Sequence, residues 1–229
     1  MGANAVTTVP VYTAGEVLTA ADMNITNSGI PVFATTVTRD AAFGGTGEKT
    51  LAEGQFAYIE ATNTTQYYDG ATWQSVAEAR QIAIFNETQA QNTDGGTSVA
   101  NAWTKKVLNT SVYNTITGCS IASSVITLPA GTFSIEATAP FHSPARAKMK
   151  LRNTTAGTDA IIGMSDWCAS GVDAQINPPV IGTVVTTAST NFELQYYITN
   201  ALGTNGLGVA SNIASTSEVY ATIYIEKIA

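Results

Sequence analysis

His142 is the chain's single histidine, and imidazole is the group that acid–base, nucleophile-activating and metal-binding sites draw on most often. It follows Pro140-Phe141 in a stretch that reads as a loop. Without a second histidine, a histidine-based metal centre or triad has nothing to build on. His142 is therefore expected to be a polar turn residue. Asp159, Asp166 and Asp173 have no fixed spacing and no calcium-loop pattern around them, so they are expected as solvated loop carboxylates. Cys119 and Cys168 supply neither a disulfide framework nor metal-ligand spacing; a single pairing and two buried free thiols both stay open. The run Gly203-Thr204-Asn205-Gly206-Leu207-Gly208 is glycine-rich, but it lacks the lysine and the strand-to-helix context of a phosphate loop. It reads as a strand connection. Trp167 has two readings, a rim that stacks on sugars or a buried indole, and the buried reading is preferred. No catalytic residue, cofactor or metal is expected.

Composition points to the elements that hold these groups. Of 229 residues, 45% are hydrophobic and 12% charged; the charged share is about half the globular norm of roughly 25%. Thr, Ser, Asn and Ala fill the gap, and β-branched residues suit pleated surfaces. A net charge of −7 argues against a nucleic-acid partner, because phosphate neutralisation needs clustered Lys and Arg. Arg146, Lys148, Lys150 and Arg152 alternate along one strand and are expected to keep a solvent face soluble. No apolar run reaches the ~18 residues of a membrane helix, so no membrane insertion is expected. Met1 to Pro10 has neither the positive charge nor the apolar block of a secretory signal.

Three parts are expected. Met1 to Pro31 is an extended arm with one short helix, where Thr19 and Asp22 resemble a capping box and Asn27-Ser28-Gly29 ends the turn. Its Val17, Leu18 and Met23 are candidate docking residues. Val32 to Ala79 reads as a small aromatic-rich meander, with Asp69-Gly70 supplying a tight hairpin turn. Arg80 to Ala229 is a run of eight or more strands broken by Gly, Asn, Pro and Ser turns. With no long helical period, that pattern means an all-β sandwich or jelly roll.

Near the C-terminus Val219, Ala221, Ile223 and Ile225 alternate with Tyr220, Thr222, Tyr224 and Glu226, and side chains on a strand change face at every residue. The first set is expected to face the core. Phe192, Leu194, Tyr196 and Ile198 repeat the pattern against Tyr197. Tyr197, Tyr220 and Tyr224 thus fall on non-core faces, and a subunit interface explains them better than free solvent exposure.

Several of these stretches resemble a known family. Leu128-Pro129-Ala130-Gly131-Thr132-Phe133-Ser134-Ile135, then Ala139-Pro140-Phe141, Lys150-Leu151-Arg152-Asn153, Phe192-Glu193-Leu194-Gln195 and the closing Glu218 to Ile225 are similar to the trimeric jelly rolls of the tumour-necrosis-factor and complement globular-head type. The form found in tailed-phage fibres and other phage structural proteins is the nearest likeness. Phe85-Asn86-Glu87-Thr88-Gln89 and Trp103-Thr104-Lys105-Lys106-Val107-Leu108 fit that variety. Ala14-Gly15-Glu16-Val17-Leu18-Thr19 and onward to Asn24 resembles the opening of many phage virion proteins, and Tyr67-Tyr68-Asp69-Gly70-Ala71-Thr72-Trp73 resembles their recurrent hairpin.

The resemblance implies a non-enzymatic homotrimer on the surface of a phage particle. Its arm would be anchored by other virion proteins, tail or major capsid, and its jelly roll would face outward towards a host surface glycan or protein. A short tail fibre or receptor-binding protein is the first expectation; a capsid decoration protein, of the cement or head-fibre kind, is the second. A polysaccharide-degrading tailspike is disfavoured, since the paired carboxylates of glycoside hydrolysis are missing. Some members of the superfamily hold a cation on the trimer axis, but solvated carboxylates remain the expectation here.

Overall fold

Ala83, Phe85 and Glu87 are buried while Ile82, Ile84 and Asn86 between them are half-buried. That two-residue period is the signature of a strand with one face on a core, and it recurs throughout the computed structural model. The structure describes residues 7, 9, 13–17, 29–46, 48–76, 80–169 and 171–228. The helix expected near residue 20, with Leu18 and Met23, lies outside the described residues; Val17 is described and is 86% exposed. The chain forms two units, Met1–Ala79 and Arg80–Ala229.

In the first unit, β1 (Val32–Phe33), β2 (Phe56–Ile59), β3 (Thr64–Tyr68) and β4 (Trp73–Ser75) form one sheet in that order. β1 runs parallel to β2, and β2, β3 and β4 are an antiparallel meander. A five-residue helix, α1 (Thr36–Asp40), follows β1. Its start is a reciprocal cap: the Thr38 N–H donates to Thr35 Oγ1, and the Thr35 N–H donates to Thr38 Oγ1. The turn before β4 rests on Asp69, whose carboxylate accepts from the N–H groups of Thr72 and Ala71 and from the Gln74 amide. Those bonds hold its pKa down to about 2. Phe33, Ala42, Ala57 and Ile59 form the core of the unit, with Phe43 and Trp73 packed against it.

The second unit is a two-sheet sandwich. One sheet carries β5 (Gln81–Gln89), β7 (Thr110–Asn114), β10 (Gly131–Thr138), β15 (Val180–Thr186) and β17 (Glu218–Lys227) in the order β15-β10-β17-β5-β7. The other carries β8 (Ser120–Ala122), β9 (Val125–Leu128), β12 (Arg146–Asn153), β13 (Thr158–Trp167) and β16 (Thr190–Ile198) in the order β13-β12-β16-β9-β8, with β6 (Thr104–Lys105) also bonded to β16. A small pair, β11 (Phe141–His142) and β14 (Gln175–Ile176), stands apart. The pairs β5–β17, β9–β16, β10–β15 and β12–β13 nest inside one another along the chain and alternate between the two sheets. A ribbon folded in that way is a jelly roll.

Between the sheets lie Phe85, Phe133, Ile135, Ile223 and Ile225 from one side and Ile126, Leu128, Met149, Phe192, Leu194 and Ile198 from the other. Each such side chain contributes about 1.5–3 kcal/mol relative to an exposed one. The ladders slip by one residue at four places, and two of these decide what the surfaces described below carry. On β17 the pairing with β5 slips between Val219 and Ala221. On β13 the pairing with β12 slips so that Ser165 faces Lys148 while Ile162 faces Lys150. An extra residue on one strand reverses the side-chain alternation beyond it.

Candidate functional site

The second bulge builds a cleft on the outer face of the six-stranded sheet. Beyond it Trp167 pairs with Arg146, and Ser165 pairs with Lys148. On the other side of β12, Lys148 pairs with Tyr197, and the Arg146 N–H donates to Thr199 Oγ1. These side chains line a cleft of about 590 Å³, together with Asp166 and Ala147. Gly163 is required at the bulge, because a Cβ there would stand 2.6 Å from the Pro179 carbonyl oxygen and 2.7 Å from that of Met149. Trp167 is consequently 65% exposed, which corrects the buried reading: the slip turns its indole outward.

Beside the cleft two aromatic rings and a buried cation pack together. The rings of Tyr197 and Trp103 lie 5.6 Å apart, and Lys150 Nζ sits 4.1 Å over the Trp103 ring. Lys150 is buried and bonds Asp159 at 2.9 Å, and Arg152 reaches the same oxygen at 2.8 Å. Lys150 first and then Arg152 hold the Asp159 carboxyl below its usual range. The basic strand is therefore divided. Lys150 and Arg152 are neutralised by Asp159, contrary to a uniformly solvated row, whereas Arg146 and Lys148 face the cleft.

A second surface lies on the outer face of the five-stranded sheet. There Ile181, Glu136, Tyr224, Ile84 and Tyr113 form one row across all five strands. Tyr224 is half-buried at its centre; Ile181 and Tyr113 are exposed at its ends. Arg80 grips Glu226 through two bonds of 2.7 Å and donates to the Tyr224 hydroxyl at 3.0 Å. At the edge where β13 approaches β15, Ile162, Met164, Ile181 and Val185 are all exposed.

Tyr220 belongs to neither surface. It is 2% exposed, while Val219, expected in the core, is 48% exposed. The β17 bulge inverts both positions, and Ala221 onward regains the expected faces. The Tyr220 hydroxyl donates to the Thr93 carbonyl at 2.8 Å. Its ring fills the place where a Cβ on Gly208 would fall, 2.3 Å from Cδ1, and Gly208 has φ +128°. The glycine-rich connection is thus shaped by the tyrosine packed against it.

The remaining chemistry-bearing residues do not converge. His142 lies in β11, not in a loop, and its Nε2 bonds Asp173 Oδ1 at 2.5 Å. Among the described residues no three His, Cys, Asp or Glu gather as a metal site. Cys119 and Cys168 are both free and buried, and burial pushes the Cys119 thiol up to about 11. The sequence reading missed one feature, an ion pair between Glu87 and Lys106, with side chains 2% and 0% exposed. Its signal was present, since Glu87 continues the inward set of Ala83 and Phe85.

No protein-family model matches the sequence, and no curated protein matches it. Among solved structures, murine APRIL at pH 8.0 aligns at 9% identity over 66% of this chain and 100% of its own, with a TM-score of 0.44. The globular domain of the zebrafish complement 1qA protein aligns at 9% identity over 66% of this chain and 98% of its own, with a TM-score of 0.43. At these identities and TM-scores the likeness carries no inference about partners or activity.

Proposed function

We propose that the chain is a non-enzymatic structural protein of a tailed-phage virion, a homotrimeric surface appendage of the short tail-fibre or receptor-binding kind. Its N-terminal arm holds the particle, and its jelly roll is displayed. The observation that carries this reading is the row through Tyr224. Such a face is costly to leave in water, and so is the apolar β13–β15 edge. A face and an edge on one subunit form a heterologous pair, which closes into a ring when repeated by rotation. Three is the number that the sequence resemblance implies. Three copies of one weak surface site then act together, which raises avidity without any single strong contact.

Sedimentation equilibrium of the purified chain tests the assembly: three times the mass of one chain is expected, and a single subunit at micromolar concentration overturns it. An averaged image of intact particles tests the placement. A few copies at the tail support the fibre, whereas scores over the shell replace it with the capsid decoration reading.

A further inference from the structure

We infer that the cleft between β12, β13 and β16 binds an acidic saccharide, a pyranose carrying a carboxylate. This deepens the receptor-binding reading and rests on it for its biological role. The first observation concerns cations. The chain has ten Lys and Arg, and Arg39, Arg80, Lys105, Lys106, Lys150 and Arg152 each have a carboxylate within 4 Å. Lys49, Arg146, Lys148 and Lys227 have none among the described residues, and of these four Arg146 and Lys148 stand together. They stand two apart on β12, so they share its outer face, and both line the same cleft. In a chain of net charge −7, two adjacent cations with no carboxylate within 4 Å make a local positive site. A planar carboxylate fits it, because it accepts paired N–H bonds from a guanidinium.

The second observation concerns shape. Trp167 stands 65% exposed at the cleft wall, with Tyr197 across from it. An aromatic face carries negative quadrupole density, and the C–H groups on one side of a pyranose ring are its complement. The third observation is Asp166. It lines the cleft at the strand edge, where its Oδ1 accepts the Trp167 backbone N–H at 2.8 Å. A pyranose acid offers one carboxylate to the two cations and neutral hydroxyls to the rest of the lining, whereas a nucleic-acid strand would need a longer row of cations than these two.

The test is calorimetric titration of the full chain with an oligomer of galacturonic acid and with the matched neutral galactose oligomer, which lacks only the carboxylates. The uronate is expected to bind at least roughly tenfold more tightly, the weight of one charge-assisted contact, and to weaken as salt is raised. Arg146→Ala with Lys148→Ala should abolish the difference between the two sugars, and Trp167→Ala should weaken both. All three positions face outward, and an unchanged melting temperature checks that the fold persists. Equal binding of the two sugars, no saturable binding of either, tighter binding of an oligonucleotide, or full uronate affinity in the double variant overturns the inference. Sedimentation of the same sample separates this result from the assembly reading. A trimer that binds neither sugar loses the cleft alone, and a monomer that binds the uronate loses the trimer alone.

Discussion

Lys106 and Glu87 meet inside the jelly roll, their side chains 0% and 2% exposed. Burial is the largest influence on both. It raises the Glu87 carboxyl above its usual range and lowers the Lys106 ammonium below its own, and the attraction of each for the other only partly offsets this. Such a pair is worth less than its geometry suggests, because two desolvation costs stand against one attraction.

Breaking the pair should therefore cost more than removing it. Lys106→Met or Glu87→Leu alone leaves an uncompensated buried group and should destabilise the fold by about 3–5 kcal/mol. The double substitution should recover most of that loss. Urea denaturation of all three variants measures the difference, and a double variant no more stable than the singles would count against the pairing.

Tyr220 and Gly208 make a second test. Gly208→Ala places a Cβ against the tyrosine ring at a positive φ, and should cost at least the roughly 1–3 kcal/mol of overpacking. Tyr220→Phe removes only the bond to the Thr93 carbonyl, about 0.5–1.5 kcal/mol. Thermal melts of the two variants should rank them in that order.

The same pair of faces separates packing from assembly. Tyr224→Glu and Tyr113→Glu put a charge into the outer row of the five-stranded sheet and should lower the sedimenting mass to that of one chain. Tyr220→Phe, whose ring is interior, should leave it unchanged. If the glutamate variants sediment like the parent, the row is not the subunit contact.

Acid should loosen the connection before β17. Glu218 accepts from the Ser211 hydroxyl and from the N–H groups of Asn212, Ser211 and Asn92. The Ser211 hydroxyl is the largest of these influences, and together they hold its carboxyl below the ordinary 4.5. A folded pKa below the unfolded one means that the unfolded chain binds more protons in this range. The stabilisation is therefore complete above pH 4.5, and it is lost as pH falls through the folded value. Glu218→Gln should flatten that acid limb in a series of denaturation curves while changing its shape little at neutral pH.

Much of the architecture was legible in the residues. Gln81, Val125, Gly131, Arg146, Val180, Thr190 and Glu218 begin strands at or within a residue or two of where alternation and Gly, Pro or Asn turns predict them. Those signals are local, because a two-residue period and a left-handed turn residue act within a few positions of themselves. The outward place of Tyr224 and the inward places of Ile223 and Ile225 follow from the same rule.

Which way a side chain faces beyond a bulge is not local. The slip at Val219 is set by pairing with Thr88 and Glu87, more than a hundred positions earlier, and it sends Tyr220 inward. The slip opposite Met149 lets Gly163 pass the carbonyls of Pro179 and Met149 and turns Trp167 outward. Alternation along one strand says only that neighbours differ in face. The partner strand decides where the count shifts by one, so the cleft, the division of the basic row and the interior ion pair exist only once the sheets have formed.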